Sequence, residues 1–234
     1  KYLIAILLSF IAGLATSVGA GITFFIKKND FKILALGMSF SAGVMIFISF
    51  MDILPLAVDQ ASAGGGGFFE SLKSARGFVF GLFFAGAAFA ALVDYFIPEH
   101  VYSDDTSHGL HSHKMSRKKE LAAKSRKAGF FMAAALTIHN FPEGLSVFVS
   151  GVENLKLGIF VALAISIHNI PEGVSEALPV YNATGSKRKA FVISSLSGMA
   201  EPLGALVAYF FLMPYLSTTL IGGTLAATAG IMVY

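Results

Sequence analysis

Long apolar stretches, separated by short polar breaks, dominate the chain. Seven of them run over 3–26, 33–57, 77–97, 129–150, 157–180, 190–213 and 215–234. A helix needs about 20 predominantly apolar residues to cross the hydrocarbon core of a bilayer, so the pattern predicts seven spans in an all-α, polytopic transmembrane bundle. Lipid offers no hydrogen-bond partners, and each span must satisfy its own backbone as a helix. The first stretch is longer than the apolar core of a secretory signal and only Lys1 precedes it, which makes it the first span.

Composition agrees. Of 234 residues, 55% are apolar and 13% charged, with a mean hydropathy of +0.72, more apolar surface than a soluble domain of this length can hide. There is no cysteine, which excludes disulfides, iron–sulfur clusters and thiolate zinc sites; a metal would be held by His, carboxylate, amide or Met. The net charge of +3 is too small to argue for a nucleic-acid partner.

The placement of that charge is more informative. Alternating the connections puts 27–32, 98–128 and 181–189 on one face. Those loops hold Lys27, Lys28 and Lys32, seven basic residues between Lys114 and Lys127, and Lys187 to Lys189, leaving only Lys1, Lys73, Arg76 and Lys156 of the 17 for elsewhere. The positive-inside rule then places the three loops in the cytoplasm and the N-terminus outside. The whole of 1–234 reads as one transmembrane domain. Its 98–128 loop is His-rich and basic and lacks apolar periodicity, which predicts flexibility, and the Gly64 to Gly67 run predicts a flexible external loop.

Six acidic residues fall inside the apolar stretches: Asp52, Asp94, Glu143, Glu172, Glu176 and Glu201. Each costs about 2.5–3.5 kcal/mol at the bilayer centre on insertion scales, so each needs a reason. Two have company. His139-Asn140-Phe141-Pro142-Glu143-Gly144 and His168-Asn169-Ile170-Pro171-Glu172-Gly173 repeat the pattern H-N-x-P-E-G on neighbouring spans. Residues i and i+4 share a helix face, so His139 pairs with Glu143 and His168 with Glu172. A short connection near 151–156 makes the two spans antiparallel, and the two faces converge. Two imidazoles and two carboxylates suit a borderline divalent cation such as Zn²⁺. Asn140 and Asn169 would add neutral oxygens to a second, adjacent ion, with Glu143 and Glu172 bridging the pair. The opposing reading, hydrogen-bonded glue between helices, does not require the proline and asparagine twice. Pro142 and Pro171 free the carbonyls of Ile138 and Ile167 and bend their helices, and irregular backbone at that depth belongs beside an ion path.

The remaining polar residues carry two readings each. Glu201, before Pro202, is a ligand or a structural carboxyl. Glu176 extends the path from Glu172 or snorkels to the interface near its helix end. Asp52 attracts cations at an external mouth or caps a solvated helix end, and Asp94 reads as a solvated or capping residue. His100, His108, His111 and His113 hold metal loosely or belong to a solvated charge run.

Function classes separate by spacing. A membrane zinc protease needs H-E-x-x-H and a di-iron enzyme E-x-x-H; neither pattern is present, nor is a phosphate-binding Walker motif. Ion sites on interrupted helices near the midplane belong to secondary transporters, so no enzyme activity is expected. A metal-sensing or storage protein is the alternative, and a membrane metallohydrolase a more distant one.

The paired H-N-F-P-E-G and H-N-I-P-E-G segments resemble the fourth and fifth helices of the ZIP (Zrt/Irt-like) divalent-metal transporter family. The stretches P-V-Y-N-A-T-G-S-K-R at 179–188 and I-S-F-M-D-I-L-P at 48–55 are similar to its bacterial members. The resemblance covers most of the chain. It implies import of Zn²⁺, and in some members Fe²⁺, Mn²⁺, Co²⁺ or Cd²⁺, into the cytoplasm across a plasma membrane, the inner membrane in bacteria. It assigns His139, Glu143, His168 and Glu172 to one metal, and Asn140, Asn169, Glu143, Glu172 and Glu201 to a second. The ions are cargo, and no organic cofactor is implied. Partners are the cations, the bilayer and, as a candidate, a second copy of the chain in a homodimer. The family fold is an eight-helix bundle with inverted symmetry, in which a metal-carrying helix group moves against a fixed one; the eighth helix would follow Tyr234. Glu176 stands where similar sequences usually carry an apolar residue.

Overall fold

The computed structural model describes residues 1–26, 31–63, 75–96 and 137–234, and these are helical almost throughout. We number the helices by span. α1 is Tyr2–Ile22, closed by a 3₁₀ turn, Thr23–Phe25. α2 starts as Phe31–Ile48, passes through a π-helical turn, Ser49–Ile53, and continues as Leu54–Ala63. α3 is Ala75–Phe96 and α4 covers 137–153. α5 is Leu155–Thr184. α6 runs as Lys187–Gly198 and Ala200–Val207, then a π turn, Ala208–Leu212, and a 3₁₀ turn, Met213–Tyr215. α7 is Thr218–Val233.

Local chemistry sets the ends. Asn154 separates α4 from α5, and its side chain accepts from the amides of Lys156 and Leu157, satisfying donors that a helix start leaves free. Ser186 caps α6 through the Lys189 amide, and Ser217 caps α7 through the Leu220 amide. α5 stops at Gly185, whose φ of 70° lies in the left-handed region that glycine enters without steric cost. Both π turns lead into a proline, Pro55 and Pro214. In each, the closing amide reaches five residues back, Leu54 to Ser49 and Met213 to Ala208. Proline cannot donate to the residue four before it, and its ring crowds that carbonyl; the wider turn absorbs the misfit. α2 therefore continues to Ala63, beyond the expected end at 57, and Asp52 lies inside it, half-buried in the π turn rather than at a helix end. α4 and α5 likewise stay helical through Pro142 and Pro171.

Among the described residues, five helices are long and apolar enough to cross a membrane: Tyr2–Phe25, Ala35–Ala63, Ala75–Tyr95, Leu155–Asn182 and Lys187–Tyr215. Thr218–Val233 is a shorter apolar helix, and 129–136 of the expected fourth span lie outside the described residues. Large apolar side chains point outward, as Leu3, Ile11, Phe84, Leu163, Leu196 and Phe210 do, whereas α1 buries Ala5, Ser9, Ala12, Gly13, Thr16 and Gly19. That distribution fits lipid as solvent, where helices associate through small residues that let backbones touch.

α1 packs against α5 and α6, while α7 packs against α3 and the second half of α2. α4 lies between the two groups. Its Val147 joins Ala12, Val161 and Ile165, and its Phe148 and Val149 join Ile221 and Leu225. The loop 98–128 with its histidines, and the Gly64 to Gly67 run, lie outside the described residues.

Candidate metal centre

The hairpin of α4 and α5 turns within one residue, and Gly158 meets Gly151 so closely that a Cβ would land on its backbone. The two H-N-x-P-E-G faces are thereby pressed together. Glu143 is fully buried, and one of its oxygens, Oε1, faces the Nε2 of His139 at 3.2 Å and the Nε2 of His168 at 3.3 Å. The first contact is the expected i, i+4 pair; the second crosses between helices. One donor atom each from Glu143, His168 and Glu172 lie within 4.8 Å of one another, and all three residues are buried. His139 is partly exposed, with its side chain 19% accessible, and reaches the cluster through Glu143.

The second set lies beside the first. Asn169 is buried, and its Nδ2 donates to the Ala12 carbonyl at 3.0 Å and to Glu201 Oε1 at 2.5 Å. Glu201 is fully buried and within electrostatic reach of Glu143 and Glu172. Asn140 is buried as well. α6 comes this close because two glycines allow it. A Cβ on Gly144 would fall on the Glu201 backbone, and one on Gly204 would fall on the Phe141 carbonyl. From the other side, Thr228 of α7 donates to the Pro142 carbonyl at 3.3 Å and shares a hydrogen bond with Ser146 at 2.8 Å.

Several polar atoms here lack a hydrogen-bond partner among the described residues although they are buried: Glu143 Oε2, His168 Nδ1, Asn169 Oδ1 and Glu201 Oε2. Leaving such groups unmade costs roughly 1–3 kcal/mol each. Unpaired oxygens and an imidazole nitrogen in an apolar interior are atoms of the kind that a cation takes as donors. The imidazole–carboxylate contacts of 3.2 and 3.3 Å lie at the long end of hydrogen-bond distance.

Of the residues singled out by sequence, Glu143, His168 and Glu172 form one group, His139 touches it, and Asn169 and Glu201 pair next to it. Glu176 does not reach the interface: it is fully buried, and α5 continues eight residues beyond it to Thr184. Asp94, near the end of α3, is exposed and accepts from the Tyr234 hydroxyl at 3.0 Å, in keeping with the bland reading. Thr228 and the Ala12 carbonyl were not foreseen; a lone threonine in an apolar span and a main-chain oxygen leave no pattern to find.

These helices and this cluster define a multi-pass membrane protein with imidazoles and carboxylates gathered between its spans. The model of the ZIP Zinc transporter family matches residues 3–234, and the chain belongs to that family. It is 43% identical to the "Zinc transporter ZupT" of Campylobacter jejuni, over 99% of this chain and 84% of that protein. It is 40% identical to the protein of the same name from Akkermansia muciniphila, again over 99% and 84%. For that of Chlorobium phaeovibrioides the identity is 44%, over 98% and 84%.

Proposed function

We propose that this chain imports divalent metal cations, Zn²⁺ foremost, from outside to cytoplasm, through a centre shared by α4 and α5. The observation that carries the reading is the single Glu143 oxygen facing both imidazoles, with His168 and Glu172 donors within 4.8 Å and Glu143, His168 and Glu172 all buried. The names of the relatives support Zn²⁺ as cargo, and nitrogen with carboxylate oxygen is the donor mixture that this borderline ion takes.

A hydrated ion arriving from outside exchanges water for His139, Glu143, His168 and Glu172. Glu143 and Glu172 are within electrostatic reach of Glu201, which pairs with Asn169, so a second ion binds alongside at Asn140, Asn169 and Glu201 with the two carboxylates as bridges. Each M²⁺ offsets carboxylate charge that the apolar interior otherwise leaves exposed. Release is the reverse exchange, onto water on the cytoplasmic side. The orientation, N-terminus outside, rests on the basic loops. Nothing in the cycle makes or breaks a covalent bond, and the protein acts as a carrier rather than an enzyme.

Zinc uptake into proteoliposomes, compared among wild type, Glu143→Ala and Glu172→Ala, tests this. Uptake by the wild type and its loss in both variants is expected. Equal uptake by the variants refutes the assigned ligands, and tight binding without any uptake identifies a sensor or store instead.

A further inference from the structure

One buried carboxylate is used by neither donor set. Glu176 lies four residues after Glu172 on α5, hence on the same face and one turn, about 6 Å, further along. It is fully buried. Its Oε2 accepts from the Ser194 hydroxyl at 2.9 Å, its Oε1 receives no hydrogen bond among the described residues, and the Ser197 side chain lies beside it. Three helices close the place off from lipid. Ser194 also touches the Gly173 carbonyl at 3.4 Å, and a Cβ on Gly173 or Gly198 would run into the Thr16 to Ala20 or Gly13 to Thr16 stretch of α1. The Ser194 and Ser197 hydroxyls both face this carboxylate, yet its Oε1 has no hydrogen bond of ordinary length among the described residues.

We propose that Glu176, with the hydroxyls of Ser194 and Ser197, forms a third cation station, one helical turn to the cytoplasmic side of the His and Glu centre. The inference rests on the import reading above. The station offers oxygen only. Carboxylate, hydroxyl and water are the donors of hard ions and hold Zn²⁺ or Cd²⁺ less tightly than a set containing imidazole. An ion leaving Glu172 therefore meets a nearby, weaker, oxygen-lined stop rather than bare hydrocarbon. That lowers the barrier to exit without competing for the ion at entry.

The test compares wild type, Glu176→Gln and Ser194→Ala. Cd²⁺ bound per chain is measured by equilibrium dialysis of the purified protein, and initial Zn²⁺ uptake is measured in proteoliposomes. Glu176→Gln keeps the size of the side chain and removes the charge. It is expected to bind one Cd²⁺ fewer at high Cd²⁺, to retain the tighter binding, and to lose about 10- to 100-fold in turnover with its half-saturating Zn²⁺ little changed. Ser194→Ala is expected to weaken the last ion by about 10-fold. Retained tight binding certifies that Glu176→Gln is folded. Should that folded variant match the wild type in bound Cd²⁺ and in turnover, the station does not exist. Failure of the wild type to take up Zn²⁺ would instead strike the import reading, and the Cd²⁺ count would still decide whether Glu176 binds.

Discussion

Gly144→Ala tests how the second donor set is held. α4 and α6 touch backbone to backbone at Gly144 and Glu201, and again at Gly204 and Phe141. Unbonded heavy atoms rest at about 3.5–4.0 Å, and the added Cβ would sit so far inside that distance from the Glu201 carbonyl that the helices must part by roughly 1 Å or more. Coordination distances tolerate only about 0.2 Å, so Glu201 leaves the reach of an ion held by Glu143 and Glu172. Overpacking of this kind costs about 1–3 kcal/mol, or roughly 2–12 °C in melting temperature for a chain of this size. Gly43 and Gly81 are internal controls, because a Cβ there meets nothing within 4 Å; alanine at either should be neutral or gain about 0.5–1 kcal/mol in helix preference. Thermal unfolding in detergent, Cd²⁺ stoichiometry and Zn²⁺ uptake are the readouts. Gly144→Ala should melt earlier, lose one Cd²⁺ and transport poorly, while both controls behave as wild type. A Gly144→Ala protein with an unshifted melt and full stoichiometry would refute the argument that backbone contact places Glu201.

Thr228→Val keeps the shape of the side chain but removes the hydroxyl from the Pro142 carbonyl and from Ser146; it should cost about 1–3 kcal/mol in thermal stability, and a melt like that of wild type would discount that link. His168→Ala should impair Zn²⁺ uptake more than His139→Ala, since His168 is fully buried within the Glu143 and Glu172 group and His139 is partly exposed; the reverse order in proteoliposomes would mean that the two imidazoles are not ranked by burial. Asn154→Ala removes the cap at the hairpin turn and should cost about 1 kcal/mol, with Asn154→Asp restoring the melting temperature; no difference between the two would show that the cap is not what fixes the turn.

The H-N-x-P-E-G repeat was readable because its geometry is local. Four-residue spacing fixes His139 over Glu143 whatever surrounds them, and a short connection leaves α4 and α5 little choice but to pair. The contact of Asn169 with Glu201 was not readable in that way. It depends on where α6 crosses α4, which is set by Gly144 and Gly204 meeting backbone rather than by any spacing around Glu201; only the family resemblance pointed to it. The snorkelling reading of Glu176 failed for a different reason. The apolar stretch fades near 180, but polar Asn182 and Thr184 stay helical, and the helix ends only where Gly185 turns left-handed. Apolar content marks the depth of lipid, whereas hydrogen bonding and glycine mark the end of the helix. The extension of α2 from the expected end at 57 to Ala63 makes the same point, since a π turn accommodates Pro55 within a continuing helix.

The two donor sets differ in what holds them. His139, Glu143, His168 and Glu172 all belong to one hairpin closed by a single residue, so they keep their mutual distances however α4 and α5 shift against the rest of the bundle. Glu201 alone comes from α6, and its distance to Asn169 depends on the register of α6 against α4 and α1. Any motion that slides α6 therefore dismantles the second set while leaving the first intact. Under the proposed two-ion reading, occupancy of the second set would report the position of α6, and Glu143 and Glu172 would pass that information to the first ion through shared charge rather than through a change in their own geometry.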